Sequence, residues 1–317
     1  MPITLAQAQA LSQSKLTNFV IDEFRKSPLL DMLPFDNTVL PQGGQTLAYV
    51  YNRITTLPTA ANRALNAEYI PQEAATTQYT ANLKVFGGSF QVDRVIANHQ
   101  KQIVDHVQFQ VQQKTQATIA KFHDQFINGD SAVDNGVAFD GIEKAITGSS
   151  TELIPGSNID LSSSANIDSN WKVFLDNLRK LRALMDLAPT LLMMNLDAFG
   201  VFQSVMDRAG INLASKQNYG FEVVQWGNVL VMPMGDKPGT SSPIIETDES
   251  GLTSVYAVRL GLDGVHGVSP NGNTVVNTYL PNMLAPGAVK TGEVEMVAAM
   301  ALKATRAAAV LRKFKIA

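Results

Sequence analysis

Apolar positions recur, alternate or break off along this chain in ways that predict its elements in turn. Residues 3–26 place Leu5, Leu16, Phe19, Val20 and Phe24 on one side of an amphipathic helix. Pro28, Pro34 and Pro41 then predict an extended arm, which Gly43 and Gly44 end. QTLAYVYNRITT (45–56) and YTANLKVFGGSFQVDRV (79–95) are β-branched and aromatic enough to be strands. Between them, residues 57–78 carry two prolines and no period. A connection that long predicts a projecting β-ribbon rather than a turn. Gly87-Gly88, inside the second strand, predicts a bulge or bend.

Residues 97–128 contain neither Gly nor Pro, and Ile103, Val107, Val111, Ile119, Phe122 and Phe126 mark one face of a long helix. Such a helix would run roughly 45 Å. Gly129-Asp130 ends it, and turns in SAVDNGVAFDGIEKAI lead to a short helix. Residues 147–169, rich in Ser, Asn and Gly, predict a surface loop. Trp171, Phe174, Leu175, Leu178, Leu181 and Leu184 define a helix terminated by Pro189. TLLMMNL (190–196) reads as a buried strand, Asp197 as the cap of a helix ending at Gly210, and 223–232 and 255–262 as further strands. This alternation is α/β in character. The pattern of EVEMVAAMALKATR (293–306) leaves two readings open, since Ala, Met and Leu favour helix while Val294, Met296, Met300 and Leu302 fit one face of a strand.

Composition narrows the function. With 317 residues and 45% hydrophobic content, the chain can bury a sizeable core as one large domain or two intertwined ones. A net charge of −3 argues against a nucleic-acid reader with a clustered basic face. It suits a container, whose wall must not bind phosphate strongly. The absence of cysteine excludes disulfides, thiolate nucleophiles and Cys-ligated zinc. The start, MPITLAQAQALSQSK, lacks the pattern of a signal peptide, and no apolar stretch approaches 18 residues. The expectation is a soluble protein made in a cytoplasm, with no membrane partner.

Candidate chemistry is thin. His99 and His106 lie two helical turns apart, His123 precedes Asp124, and His266 stands in a Gly-rich turn; none has the i, i+4 spacing of helical zinc ligands. Solvated or packed histidines are the better reading. Ser12-x-x-Lys15, Ser164-x-Asn166 and Lys290-Thr291-Gly292 follow the order of the penicillin-binding and β-lactamase motifs, but each is short and Ser12 lies in a Gln-rich arm. Asp130, Asp134 and Asp140 miss the spacing of a calcium loop. GxSxG, Walker A and a post-strand GxGxxG are absent. The sequence thus predicts no catalytic, cofactor-binding or metal-binding residues, no cofactor, and no enzyme.

The order of arm, long ribbon, long helix, α/β lobe and terminal strand resembles the Hong Kong 97-type major capsid proteins of tailed bacteriophages. TLPTAANRALNAEY (from residue 56), the GIEK turn after AFD (138–144), WGNVLVMPMGDKP (226–238) and VYAVRLGLDGV (255–265) are similar to that family's usual sequence. The resemblance implies an α+β fold: an N-terminal arm over 1–43, an extended β-ribbon loop over 44–94, and a peripheral domain over 95–147 with a spine helix at 97–128. It further implies an α/β axial domain over 148–270, peripheral return strands over 271–306 and a final axial strand over 307–317. It decides 293–306 in favour of strand.

It also implies a protein that assembles with itself into pentamers and hexamers. These would form an icosahedral virion shell in the bacterial host cytoplasm, enclosing double-stranded DNA without sequence-specific binding. Scaffold, portal and decoration proteins would be its other partners, the scaffold being separate or removed before Met1. Subunit contacts are expected at Arg53, Leu57, Arg63, Leu65, Glu68, Tyr69, Ile70 and Glu73 of the loop, and at Leu16, Phe19 and Phe24 of the arm. The founding member links its subunits through a lysine of this loop, yet no Lys occurs here between Lys26 and Lys84. An encapsulin-type nanocompartment shell is the alternative within the fold, although its members lack the prominent arm. An α/β hydrolase-like enzyme is the alternative of another class.

Overall fold

Where each stretch can bury its apolar side decides what it becomes. The computed structural model describes residues 28–38, 46–56, 58–99, 106–133, 135–218, 221–272 and 275–317. The expected helix at 3–26 therefore lies outside the described residues. From Pro28 the chain forms a single helical turn, α1 (Leu29–Met32), and β1 (Phe35–Asn37). β2 (Ala48–Thr56), β3 (Ala75–Asn82), β4 (Lys84–Asp93), α2 (Arg94–His99) and α3 (His106–Asn128) follow. The middle of the chain runs through α4 (Ile142–Ile146), β5 (Glu152–Leu153), β6 (Ile159–Asp160), α5 (Ser164–Leu184), β7 (Leu191–Met194), α6 (Leu196–Arg208), β8 (Ala214–Asn218), β9 (Phe221–Trp226), β10 (Val229–Pro233) and β11 (Leu252–Val258). β12 (Val265–Ser269), β13 (Val276–Tyr279), β14 (Val289–Leu302) and, after a 3-10 turn, β15 (Ala308–Lys315) complete it.

Among the described residues, three sheets form. β14 is the middle strand of the first: β4 pairs along one edge, and β13 and β12 share the other, with β1 outside β12. The second runs β15-β11-β7-β10-β9-β8, with β5 and β6 both parallel to β15 at its end. The third is the two-stranded ribbon β2-β3.

The apolar patterns explain the layers. Leu191 and Met193 of β7 face one core while Leu192 and Met194 face another, so a continuous apolar run is buried on both sides. The second core is closed by Phe174, Leu178 and Leu181 of α5 and Phe202 and Val205 of α6. The first reaches α3, where Phe122 is fully buried with ring centroids of Phe35 at 6.0 Å, Phe86 at 6.2 Å, Phe126 at 6.1 Å and Phe139 at 5.8 Å. Residues 293–302 are strand, with Val294, Met296, Ala298, Met300 and Leu302 on the buried face.

Several local expectations need correction. The stretch 79–95 is two strands: Leu83 buries its side chain, donates its N–H to the Leu47 carbonyl at 2.8 Å, and separates a strand paired with β2 from one paired with β14. Residues 223–232 are likewise a hairpin, turned at Gly227-Asn228 with Gly227 at φ +62°. The loop expected at 147–169 contains β5 and β6, because β15 offers them an edge, and it ends in the first turn of α5, capped by Ser163. Asn195, not Asp197, caps α6, accepting from the Ala198 N–H at 2.7 Å. The described part of the long helix starts at His106; residues 100–105 lie outside the described ones.

Gly87 and Gly88 make no bulge, since the β4-β14 register runs unbroken from Lys84 to Asp93. Gly87 is there for closeness instead: a Cβ would fall on the Val294 carbonyl oxygen. At Gly88 it would meet only the mobile end of Lys114, at 3.4 Å. Gly87→Ala should therefore cost about 2 kcal/mol or more of stability and Gly88→Ala less than about 1 kcal/mol, as read by urea denaturation. Equal losses would refute the close-approach account.

Candidate functional site

The ribbon leaves the body at Leu47 and Leu83 and is anchored by one of its faces. Tyr49 and Tyr51, two apart on β2, lie on the same face, and Tyr79 stands opposite Tyr51 in register. The Tyr51 and Tyr79 rings stack at 6.0 Å. Arg53, the next residue on that face, sets its guanidinium 4.2 Å from the Tyr79 centroid and donates to the Leu302 carbonyl and the Thr305 hydroxyl. Lower down, Tyr49 donates to Asp36 at 2.6 Å, meets the His266 ring edge-on at 5.6 Å, and lies beneath the Lys303 ammonium. Burial and the Asp36 carboxylate keep the Tyr49 phenol protonated. Burial pushes Asp36 up, but the bonds from Tyr49 and the Asn37 amide, with Lys303 nearby, hold it below the ordinary carboxylate range.

Beyond the anchor the ribbon stands free. Ile54 is exposed, and residues 58–74 form no strand. At the tip, Leu65 is 93% and Ile70 86% exposed. Arg63 donates to the Ala67 carbonyl at 3.1 Å and lies 5.5 Å from the Tyr69 ring centroid, while Gln72 accepts from the Thr59 amide at 3.1 Å. Asn66 turns the tip at φ +65°. Burying Leu65 and Ile70 elsewhere would recover about 1.5–3 kcal/mol each. Nothing among the described residues of their own subunit offers that.

The residues expected at a contact thus separate into groups. Arg63, Leu65, Glu68, Tyr69, Ile70 and Glu73 share the tip, but among the described residues neither glutamate pairs with Arg63. Arg53 lies at the root, engaged with its own chain. Leu57, Leu16, Phe19 and Phe24 lie outside the described residues. Sequence reasoning missed the Tyr49, Tyr51 and Tyr79 anchor, whose signal was the i, i+2 tyrosines on one strand face. It also missed the turn between β13 and β14, where Leu284 is 95% exposed and Tyr279, Leu280 and Val289 stand with it.

The chemical candidates are accounted for locally. Asp130 and Asp140 both pair with Lys144, at 2.7 and 2.8 Å; Asp134 lies outside the described residues. Lys290 is buried and donates to the Ala285 carbonyl, and the Ser164 hydroxyl accepts from Arg208 at 2.8 Å; Ser12 and Lys15 lie outside the described residues. His123 and His266 are buried, and burial lowers them to about 3 and about 4, with Lys303 adding to the effect on His266. The side chains of His99 and His106 are not among the described ones. Among the described residues, no group of three or more His, Cys, Asp or Glu could hold a metal ion, and no helix is long and apolar enough to cross a membrane.

No family model matches the chain, and no curated protein does. Solved structures match over nearly its whole length. The holo-SrpI encapsulin complex of Synechococcus elongatus PCC 7942 is similar at 15% identity and a TM-score of 0.66, covering 99% of this chain and 97% of that one. The capsid of an empty GTA particle is similar at 12% identity and a TM-score of 0.61, covering 99% and 98%. Gordonia phage Cozz is similar at 11% identity and a TM-score of 0.60, covering 96% and 91%. The chain has the Hong Kong 97-type α+β fold.

The anchor makes its own prediction. An unfolded histidine binds its proton near pH 6.5, but folded His266 does so only near pH 4. Its contribution to stability is therefore whole above about pH 6.5 and lost as pH falls toward 4. His266→Leu should flatten that part of the pH dependence in urea titrations at pH 7, 5.5 and 4. A variant curve parallel to the parent's would assign the fall to other groups.

Proposed function

We propose that this chain is the major capsid protein of a tailed bacteriophage. Its subunits assemble as pentamers and hexamers into an icosahedral shell around double-stranded DNA. The observation that carries this reading is the ribbon tip: a chain that matches shell proteins over nearly its whole length holds out Leu65 and Ile70 with no cover among its described residues. A neighbouring subunit supplies that cover, with Arg63, Glu68, Tyr69 and Glu73 completing the contact. Leu57 joins this contact, and Leu16 and Phe19 of the arm are assigned to a neighbour as well. Arg53 sets the ribbon's root and acts on the contact through its direction.

The proposed partition keeps the arm at 1–43, the extended loop at 44–94, the peripheral domain at 95–147 and 271–306, and the axial domain at 148–270 and 307–317. Scaffold, portal and decoration proteins are the proposed further partners, the virion is its location, and the bacterial host cytoplasm is where it assembles. The role is structural, without catalysis. A second reading, an encapsulin-type shell, is favoured by the match to the SrpI complex. Purified particles filled with DNA support the first reading, and particles filled with protein cargo the second. Protein that stays monomeric even when co-expressed with its genomic neighbours refutes both.

Replacing residues 57–78 by a short Gly/Ser turn should leave the subunit's melting temperature nearly unchanged and abolish shells in negative-stain micrographs. Normal shells from this variant would move the interface elsewhere. Arg63→Glu should slow assembly, since it reverses a rim charge and removes the tip's contact with Tyr69. The chain has no Cys, and no Lys near the tip. Boiled shells should accordingly run as a monomer of 34.3 kDa on a denaturing gel. A ladder of pentamer and hexamer multiples would show covalent linkage.

A further inference from the structure

α6 carries a glycine where helix formation disfavours one. Gly200 sits in the interior of this helix, a placement that makes it a weaker helix than alanine would give, yet a Cβ built there would meet no described atom within 4 Å. Packing inside the described subunit does not require it. A mid-helix glycine facing open space is explained when another piece of backbone must cross closely.

The surroundings identify that piece. Leu196, Phe199, Gly200 and Gln203 of α6 form one wall of a cavity of about 210 Å3, and Val223, Met232 and Pro233 form the other. Among the described residues of this lining, Gln203 is the one polar side chain, and Leu196 is 41% exposed beside it. Pro28, where the first described stretch begins, lines the same cavity. Phe24 stands four residues before it, a reach of at most about 14 Å. It is the last apolar residue of the 3–26 pattern, and the residues between it and Pro28 are Arg25, Lys26 and Ser27, which belong in water.

We propose that the cavity seats the Phe24 side chain of the same chain, and that Gly200 gives clearance for that segment to cross α6. Phe24 thereby leaves the set of inter-subunit contacts expected from the sequence and becomes the root of the arm, with Leu16 and Phe19 beyond it. The seating does not depend on the shell reading, because it concerns one chain in any assembly.

The test places p-benzoylphenylalanine at position 24 of the full chain and irradiates it. Expected is a product of monomer mass on a denaturing gel, its linkage mapped by mass spectrometry to 196–203 or 223–233. Gly200→Leu in the same protein should leave the circular dichroism folded, since its Cβ meets no described atom, and cut the yield of that product by about tenfold or more. A product of dimer mass would overturn the proposal in favour of a second copy's arm. Linkage outside these two stretches, or a yield indifferent to Gly200→Leu, would overturn it outright.

Discussion

The backbone ladder of β14 is the constraint on which the other parts rest. Its fourteen residues pair with β4 on one edge and with β13 and β12 on the other. α3 lies against β4 and β14 together. The ribbon returns to the body one residue before β4, so the direction in which it projects is set by the register of the same seam. After Leu302 the chain needs only a short turn to become β15 and enter the second sheet. A one-residue slip would turn Val294 and Met296 outward and misplace all of these at once. Gly87 tightens the seam further, and so makes the slip harder.

Much of this was legible where a pattern is decided locally. The long helix shows itself through Phe122 and Phe126 at helical spacing, and β7 through an apolar run too short for a helix. What stayed hidden depended on partners distant in sequence. Nothing near Leu83 says that the strand before it belongs to β2 and the strand after it to β14. Nothing in 147–169 announces the edge that β15, far downstream, presents to Glu152 and Ile159. The exposed tip was legible as a candidate contact, because a long unpatterned segment between strands has few other uses. That Arg53 folds back onto tyrosines of its own ribbon stayed hidden, since charge alone does not announce such a contact.

The molecule also separates two kinds of free energy that proteins often mix. The rings around Phe122 and the doubly buried β7 stabilise the subunit. Leu65 and Ile70 are almost bare of contacts with the described residues of their own subunit and are available to an association. The anchor of Tyr49, Tyr51, Arg53 and Tyr79 lies between them, built largely of ring faces and a cation, whose contacts weaken gradually with angle.

That separation has an evolutionary consequence. A substitution at Gly87 is judged by the fold itself, whatever the protein assembles with. A substitution at the tip is judged, on the proposed contact, only by the surface that receives it. The tip and its receptor can therefore drift together between lineages while the fold stands still. Two such proteins made in one cell would then sort into separate assemblies, with kin recognition written in a loop that the subunit itself never reads.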